Sequence, residues 1–217
     1  MQILSSFRSF GIAVLFGAAF ITSSVSGWAV VIAWDESTNG DGSNNQAVPS
    51  AVSLVEGANS VIGFVVGSND SQDWYTLHVP FGFQLSAVTL ASYTSTDDQG
   101  FTGVQSGTSF VGSPFLASSY LGYAHYGTAA VNGSLPPANL LGSDILPIMG
   151  NTTTAPGSQG FTPPLPSGDY TFLIQQLGAA TGYQFDYVLT AVPEVNASTI
   201  VAVVCCAYGL NRRFRKK

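Results

Sequence analysis

Gly182-Tyr183-Gln184-Phe185-Asp186-Tyr187-Val188-Leu189-Thr190 decides the fold class. Tyr183, Phe185, Tyr187 and Leu189 fall on one side of a two-residue period, with Gln184, Asp186 and Thr190 on the other. That is the pattern of a strand with one buried and one wetter face. Working outward, Asp73-Trp74-Tyr75-Thr76-Leu77-His78-Val79-Pro80 aligns Tyr75, Leu77 and Val79. Gly168-Asp169-Tyr170-Thr171-Phe172-Leu173-Ile174-Gln175-Gln176 aligns Tyr170, Phe172 and Ile174. Residues 60–66, 84–93 and 120–126 are further strand candidates. Turn-forming clusters lie between the strands: Gly67-Ser68-Asn69-Asp70, Pro80-Phe81-Gly82, Thr96-Asp97-Asp98-Gln99-Gly100 and Pro163-Pro164-Leu165-Pro166-Ser167-Gly168. The nearest approach to a helical period in the body, residues 138–149, is interrupted by Gly142 and Pro147. The expected architecture is all-β, an antiparallel β-sandwich or jelly roll. A signal helix precedes it and a C-terminal transmembrane helix follows.

Charge is rare and sorted. Charged residues are 8% of the 217, against 46% hydrophobic, and the formal net charge is −6. Every Lys and Arg lies near an end: Arg8, then Arg212, Arg213, Arg215, Lys216 and Lys217. Every Asp and Glu lies between Asp35 and Glu194. A body without cations has no side chain to neutralise phosphates, which excludes nucleic-acid binding and docking of the body on anionic lipid. Cys205 and Cys206 both sit in the C-terminal apolar run, so the body has no disulfide framework and no thiolate metal site. In a membrane segment the pair reads as two small apolar residues.

Three regions follow: 1–29, 30–191 and 192–217. In the first, Arg8 precedes an apolar run over residues 11–21 and a small-residue stretch ending Gly27-Trp28-Ala29. As a helix the run spans only ~17 Å of a ~30 Å bilayer core. It therefore reads as a secretory signal peptide, exported by the Sec route and cut by signal peptidase after Ala29, or after Gly27 as second choice. In the last, residues 197–210 are uncharged and mostly apolar, bounded by Pro193. Counted from Val192 they reach ~28 Å, enough to span. The cations that follow would stay cytoplasmic, leaving the body outside.

The tail resembles the PEP-CTERM sorting signal in its three parts: Pro193-Glu194-Val195, with Val in place of the second Pro, the apolar residues 197–210, and Arg212-Arg213-Phe214-Arg215-Lys216-Lys217. The resemblance implies an exosortase-type membrane peptidase as partner, with Pro193, Glu194, Arg212, Arg213 and Arg215 as recognition residues. It further implies a transient inner-membrane anchor and delivery to the cell envelope, outer surface or extracellular matrix. The body resembles the bacterial pre-peptidase C-terminal domain, a β-sandwich. The matching residues are Asp73, Tyr75, Leu77, Val79-Pro80 and Gly82, then Pro166, Gly168, Tyr170 and Phe172, then Tyr183 and Phe185. That resemblance implies an accessory module without catalytic residues.

No catalytic constellation emerges. His78 lies opposite the apolar face of its strand, and His125 is in Tyr120-Leu121-Gly122-Tyr123-Ala124-His125-Tyr126-Gly127. Neither sits beside a nucleophile motif. The candidate metal site is Asp70 and Asp73 in Asn69-Asp70-Ser71-Gln72-Asp73, with Asp35-Glu36, Asp41 and Asp97-Asp98 in other loops. Converging carboxylates of this kind suit Ca²⁺, and ordinary turn chemistry is the competing explanation. Trp34, Trp74, Phe101, Phe110, Phe115, Tyr120, Tyr123, Tyr126 and Phe161 supply aromatic faces that either fill the core or stack on extracellular polysaccharide. Residues 100–164 have the character of long loops. The expected function is that of an exported structural or interaction protein, with a carbohydrate- or Ca²⁺-binding module as alternative. Processing of the tail is checked by mass spectrometry of surface-released protein: the C-terminal peptide should be missing, and an intact Lys217 would rule processing out.

Overall fold

The computed structural model describes residues 29–67, 70–97, 99–127 and 140–193. Residues 1–28, on which the signal-peptide expectation falls, and Glu194, Arg212, Arg213 and Arg215 of the expected sorting signal lie outside them, as do Asn69 and Asp98. Among the described residues no helix is long and apolar enough to cross a membrane.

In chain order the elements are β1 (Val31–Asp35), α1 (Glu36–Asn39), β2 (Ser50–Ser53), β3 (Gly57–Val66), β4 (Gln72–Val79), β5 (Phe83–Ser95), β6 (Gln99–Ser106), β7 (Gly122–Gly127), α2 (Leu146–Gly150), β8 (Gly168–Gln175) and β9 (Ala180–Ala191). One sheet has the order β1-β3-β9-β5 and the other β2-β4-β8-β6-β7. They face each other across one core.

The sequence that decides the fold becomes β9, and its alternation is realised in full. Tyr183, Phe185, Tyr187 and Leu189 are buried, while Gln184, Asp186 and Thr190 are only partly covered. β9 pairs antiparallel with β3 on one side and β5 on the other. β8 holds the same central place in the second sheet, between β4 and β6. The two central strands meet through Phe172 against Tyr187, ring centroids 5.1 Å apart. Tyr126 on β7 meets Phe185 edge-on at 5.0 Å.

The expectation of purely antiparallel sheets is corrected. β1 pairs with β3, and β2 with β4, in parallel. The cause is the route of the chain. Between β1 and β3 it visits the second sheet as β2; between β2 and β4 it visits the first as β3. A strand reached by crossing over and back enters in its predecessor's direction, whereas a hairpin reverses it. Both sheets are therefore mixed, with the parallel pairs at their N-terminal edges.

The described part of residues 100–164 is more than a run of loops. It contributes most of β6, all of β7 and the short α2. Gly100 and Gly103 obscure β6 in the sequence because they read as turn residues. Both instead admit aromatic rings onto the strand: a Cβ at Gly100 would meet the Tyr126 ring at 2.6 Å, and one at Gly103 would overlap the Tyr120 ring. Tyr120 thereby joins Trp74, Phe110 and Leu173 in a second apolar cluster on the outer face of this sheet.

Core and surface apolar residues should separate sharply in a urea titration. Phe185→Ala removes a ring that touches both sheets, and its unfolding free energy should drop by about 3–5 kcal/mol. Phe81→Ser, at a site 96% exposed, should stay within about 0.5 kcal/mol.

Candidate cation centre

The alternation of β4 extends two residues back from Tyr75. Asp73 is therefore an inward-facing strand residue, fully buried at 0% exposure, where the sequence motif placed it in a loop ahead of the strand. A carboxylate in that position loses its hydration and gains little from neighbouring dipoles. Its Oδ2 accepts a hydrogen bond from the Tyr183 hydroxyl at 2.6 Å. Its Oδ1 has no hydrogen-bond partner among the described residues.

Glu36 reaches the same point from α1. Asp35 caps that helix, its side chain accepting from the Ser37 amide, so Glu36 begins the first turn. The Glu36 carboxylate accepts from the Phe64 amide at 2.7 Å, the Gly42 amide at 3.2 Å and the Tyr75 hydroxyl at 3.0 Å. Tyr75 and Tyr183 meet hydroxyl to hydroxyl at 2.9 Å, which links Glu36 to Asp73 through two phenols. Asp41 completes the group from the loop after α1. That loop is pinned to β4 by the Trp74 amide donating to the Ser43 carbonyl at 2.8 Å. Gly42 passes directly over the cluster, and a Cβ there would overlap Asp73 Oδ1.

Glu36, Asp41 and Asp73 each offer an oxygen lying within 4.8 Å of the others. That is the greatest separation of two ligands each ~2.4 Å from a shared ion, the usual Ca²⁺–oxygen distance. Burial ranges from exposed Asp41 through half-covered Glu36 to buried Asp73, so the group runs from solvent to floor. Asp70, the other residue singled out in the sequence, stands one step outside. The Asn44 side-chain amide donates to Asp70 Oδ1 at 3.0 Å and contacts Asp41 Oδ2 at 3.5 Å. Asp97 caps its own turn, accepting from the Gln99 amide. His78 is exposed and pairs with Asp169 across the β4–β8 ladder at 2.7 Å. Pro193 is an exposed residue just beyond β9.

Electrostatics follow from burial among like charges. Loss of hydration pushes the Asp73 carboxyl up to about 9, with Glu36, Asp70 and Asp41 adding repulsion against the Tyr183 hydrogen bond. Loss of hydration raises Glu36 as well, opposed by its hydrogen bonds from Tyr75, Phe64 and Gly42. Asp41 is raised by the same cause and by Asp70. Two states satisfy the geometry. In one, a proton on Asp73 completes a relay from Asp73 to Tyr183, Tyr75 and Glu36. In the other, a divalent cation neutralises the ionised carboxylates.

No family model, curated protein or solved structure matches the chain.

With chelator present, the Asp73 carboxyl holds its proton in the folded chain over a range where the unfolded chain has released it. Stability should be full below about pH 4 and fall as the pH rises towards about 9. Asp73→Asn, which cannot ionise, should flatten that slope when urea unfolding is followed at pH 5, 7 and 9 in EDTA. An unchanged slope would place the titration elsewhere.

Proposed function

We propose that the chain is an exported interaction module of the cell surface or extracellular matrix whose folded state is reinforced by a divalent hard cation, Ca²⁺ by its ligand chemistry. One observation carries the reading: a fully buried carboxylate, Asp73, grouped with Glu36 and Asp41 and with one oxygen lacking a hydrogen-bond partner among the described residues, in a body that has no Lys or Arg. The two histidines of the body are engaged elsewhere, His78 with Asp169 and His125 with Gln99, so among the described residues no cationic side chain is paired with this group. An all-oxygen donor set from carboxylates and backbone is the set that hard cations take, and sites in extracellular modules operate at ~10⁻⁴–10⁻³ M Ca²⁺. A site in that affinity range would be filled on the outer side of a membrane. Export by a signal peptide and retention by a PEP-CTERM-like tail read by an exosortase-type peptidase agree with that address. Asp70 belongs to the rim of the site, adding charge near Asp41 through Asn44 and leaving Glu36, Asp41 and Asp73 as the direct ligands.

Thermal unfolding tests the reading. At ten times its dissociation constant a ligand adds about 1.4 kcal/mol, or roughly 3–6 °C for a chain of this size. Millimolar Ca²⁺ should raise the midpoint of the EDTA-treated protein by that amount. Asp73→Asn and Glu36→Gln should lose the response, and Asp70→Asn should weaken it. A midpoint insensitive to Ca²⁺ in the unaltered protein would reject the site.

A further inference from the structure

The second sheet carries another arrangement on its outer face. The β8–β6–β7 ladder aligns Gln175, Phe101 and His125 in one row, since Phe101 is the register partner of both. Paired residues in neighbouring strands point to the same side, so one row presents an amide, a phenyl ring and an imidazole. Tyr123 lies two rows along, paired with Gly103 and so on the same face. Its ring sits 5.5 Å from Phe101 and within 31° of parallel, and its hydroxyl donates to the Pro156 carbonyl. His125 stands edge-on to Phe101 at 5.3 Å and is held at Nδ1 by the Gln99 amide. Two open depressions of about 250 and 260 Å³ flank this row and share Phe101, His125 and Gln175. Asp97, Gln99 and Gln176 border the first, and Phe115, 75% exposed, overhangs the second.

Gln175 forms the floor common to both. It is only 7% exposed, and its Nε2 has no hydrogen-bond partner among the described residues. An unmatched buried donor is destabilising, and a ligand oxygen would relieve it once the amide turns towards it. Burial lowers the His125 pKa, so the imidazole is neutral at neutral pH.

We infer that this trough binds a neutral polysaccharide chain, with Phe101 and Tyr123 as stacking platforms and Gln99, Gln175 and His125 as hydroxyl partners. The chemistry excludes the competitors one by one. An anionic polymer, whether nucleic acid or acidic glycan, finds no cation here or elsewhere in the body. A protein partner needs a contact of about 800 Å² per side with an apolar centre, whereas among the described residues Phe115 and Leu177 are the only large apolar side chains strongly exposed along the trough. Each depression is smaller than the ~300–1,000 Å³ of an enclosed small-molecule pocket. Two such depressions joined by an aromatic row suit consecutive rings of a chain better than one compact ligand. Uncharged amides and a neutral imidazole beside ring faces match vicinal hydroxyls beside C–H surfaces. The inference is independent of the cation centre, because it uses none of its residues.

Affinity electrophoresis of the full chain in mild detergent and EDTA tests it, in gels containing hydroxyethylcellulose, laminarin, yeast mannan or alginate. At least one neutral polymer should retard the protein while alginate does not. Phe115→Ala and His125→Ala should weaken retardation at least fivefold, and Phe101→Ala at least tenfold. Val111→Ala, exposed but outside the trough, should leave it unchanged. Because Phe115 is exposed, its substitution should not unfold the chain, which far-ultraviolet circular dichroism checks. Migration unaffected by all three neutral polymers overturns the inference. So does retardation by alginate alone, and so does retardation that survives both Phe115→Ala and His125→Ala.

Discussion

The constraint on which the structure turns is the burial of negative charge in a body that has no positive side chain. A carboxylate taken out of water is stabilised by an opposite charge, by hydrogen-bond donors or by a proton. Between Arg8 and Arg212 the sequence has no Lys or Arg, and its histidines lie apart from the cluster, His78 on Asp169 and His125 on Gln99. The fold responds with donors: one phenol and two backbone amides converge on Glu36, and a second phenol serves Asp73. The provision is unequal. Glu36, half exposed, receives several donors; Asp73, fully buried, has one oxygen served and one bare. The deficit lies on the residue that burial penalises most, and that imbalance makes the cluster a candidate for a bound ion rather than a solved packing problem.

The same scarcity explains why so many tyrosines lie inside. Tyr75, Tyr126, Tyr183 and Tyr187 are all buried, and burial pushes each hydroxyl well above its usual range, so each stays neutral. A neutral phenol brings a large apolar area and one donor. In a core built from two sheets that meet through their central strands, it can fill space like Phe172 and still serve a carboxylate. At Tyr126 and Tyr187 the hydroxyl has no hydrogen-bond partner among the described residues, whereas Tyr120 and Tyr170 donate to backbone carbonyls. Tyrosine here is a cation-free means of carrying donors into the core.

Strand content was legible wherever the period was strict. β4, β8 and β9 follow from alternation alone, because a half-buried strand forces it. β1 and β2 were not legible: each is a short edge strand, and parallel pairing depends on the crossover of the chain and not on local pattern. β6 was hidden by Gly100 and Gly103, whose role is to admit Tyr126 and Tyr120 from elsewhere in the sequence. For the cation cluster, Asp73 was found but read as a loop residue, although extending the alternation of Tyr75, Leu77 and Val79 by one step turns it inward. Asp70 was found and lies at the rim. Glu36 and Asp41 were visible as acids, but nothing in the sequence says that α1 and its following loop close over β4. Tyr75 and Tyr183 read as core residues, which they are; their hydroxyls acquire a role only when the two sheets meet.

Register places the two sites at the same end of the second sheet. Asp73, Ile174 and Thr102 form one row across β4, β8 and β6, and Gln72, Gln175 and Phe101 form the next. Adjacent rows of a strand face opposite sides, so Asp73 turns into the core while Gln175 turns out into the trough. The inward row takes up charge and the outward row presents rings and amides. A one-residue slip of β4 against β8 would exchange these faces, exposing the carboxylate and burying Gln72 in its place. The unbroken β4–β8 ladder from Gln72↔Gln175 to Val79↔Gly168 holds that register. Burial of Tyr75, Leu77 and Val79 opposes any slip, because each would have to leave the core. The hydrophobic alternation that specifies the strand in the sequence is thus also what assigns each of the two sites its face.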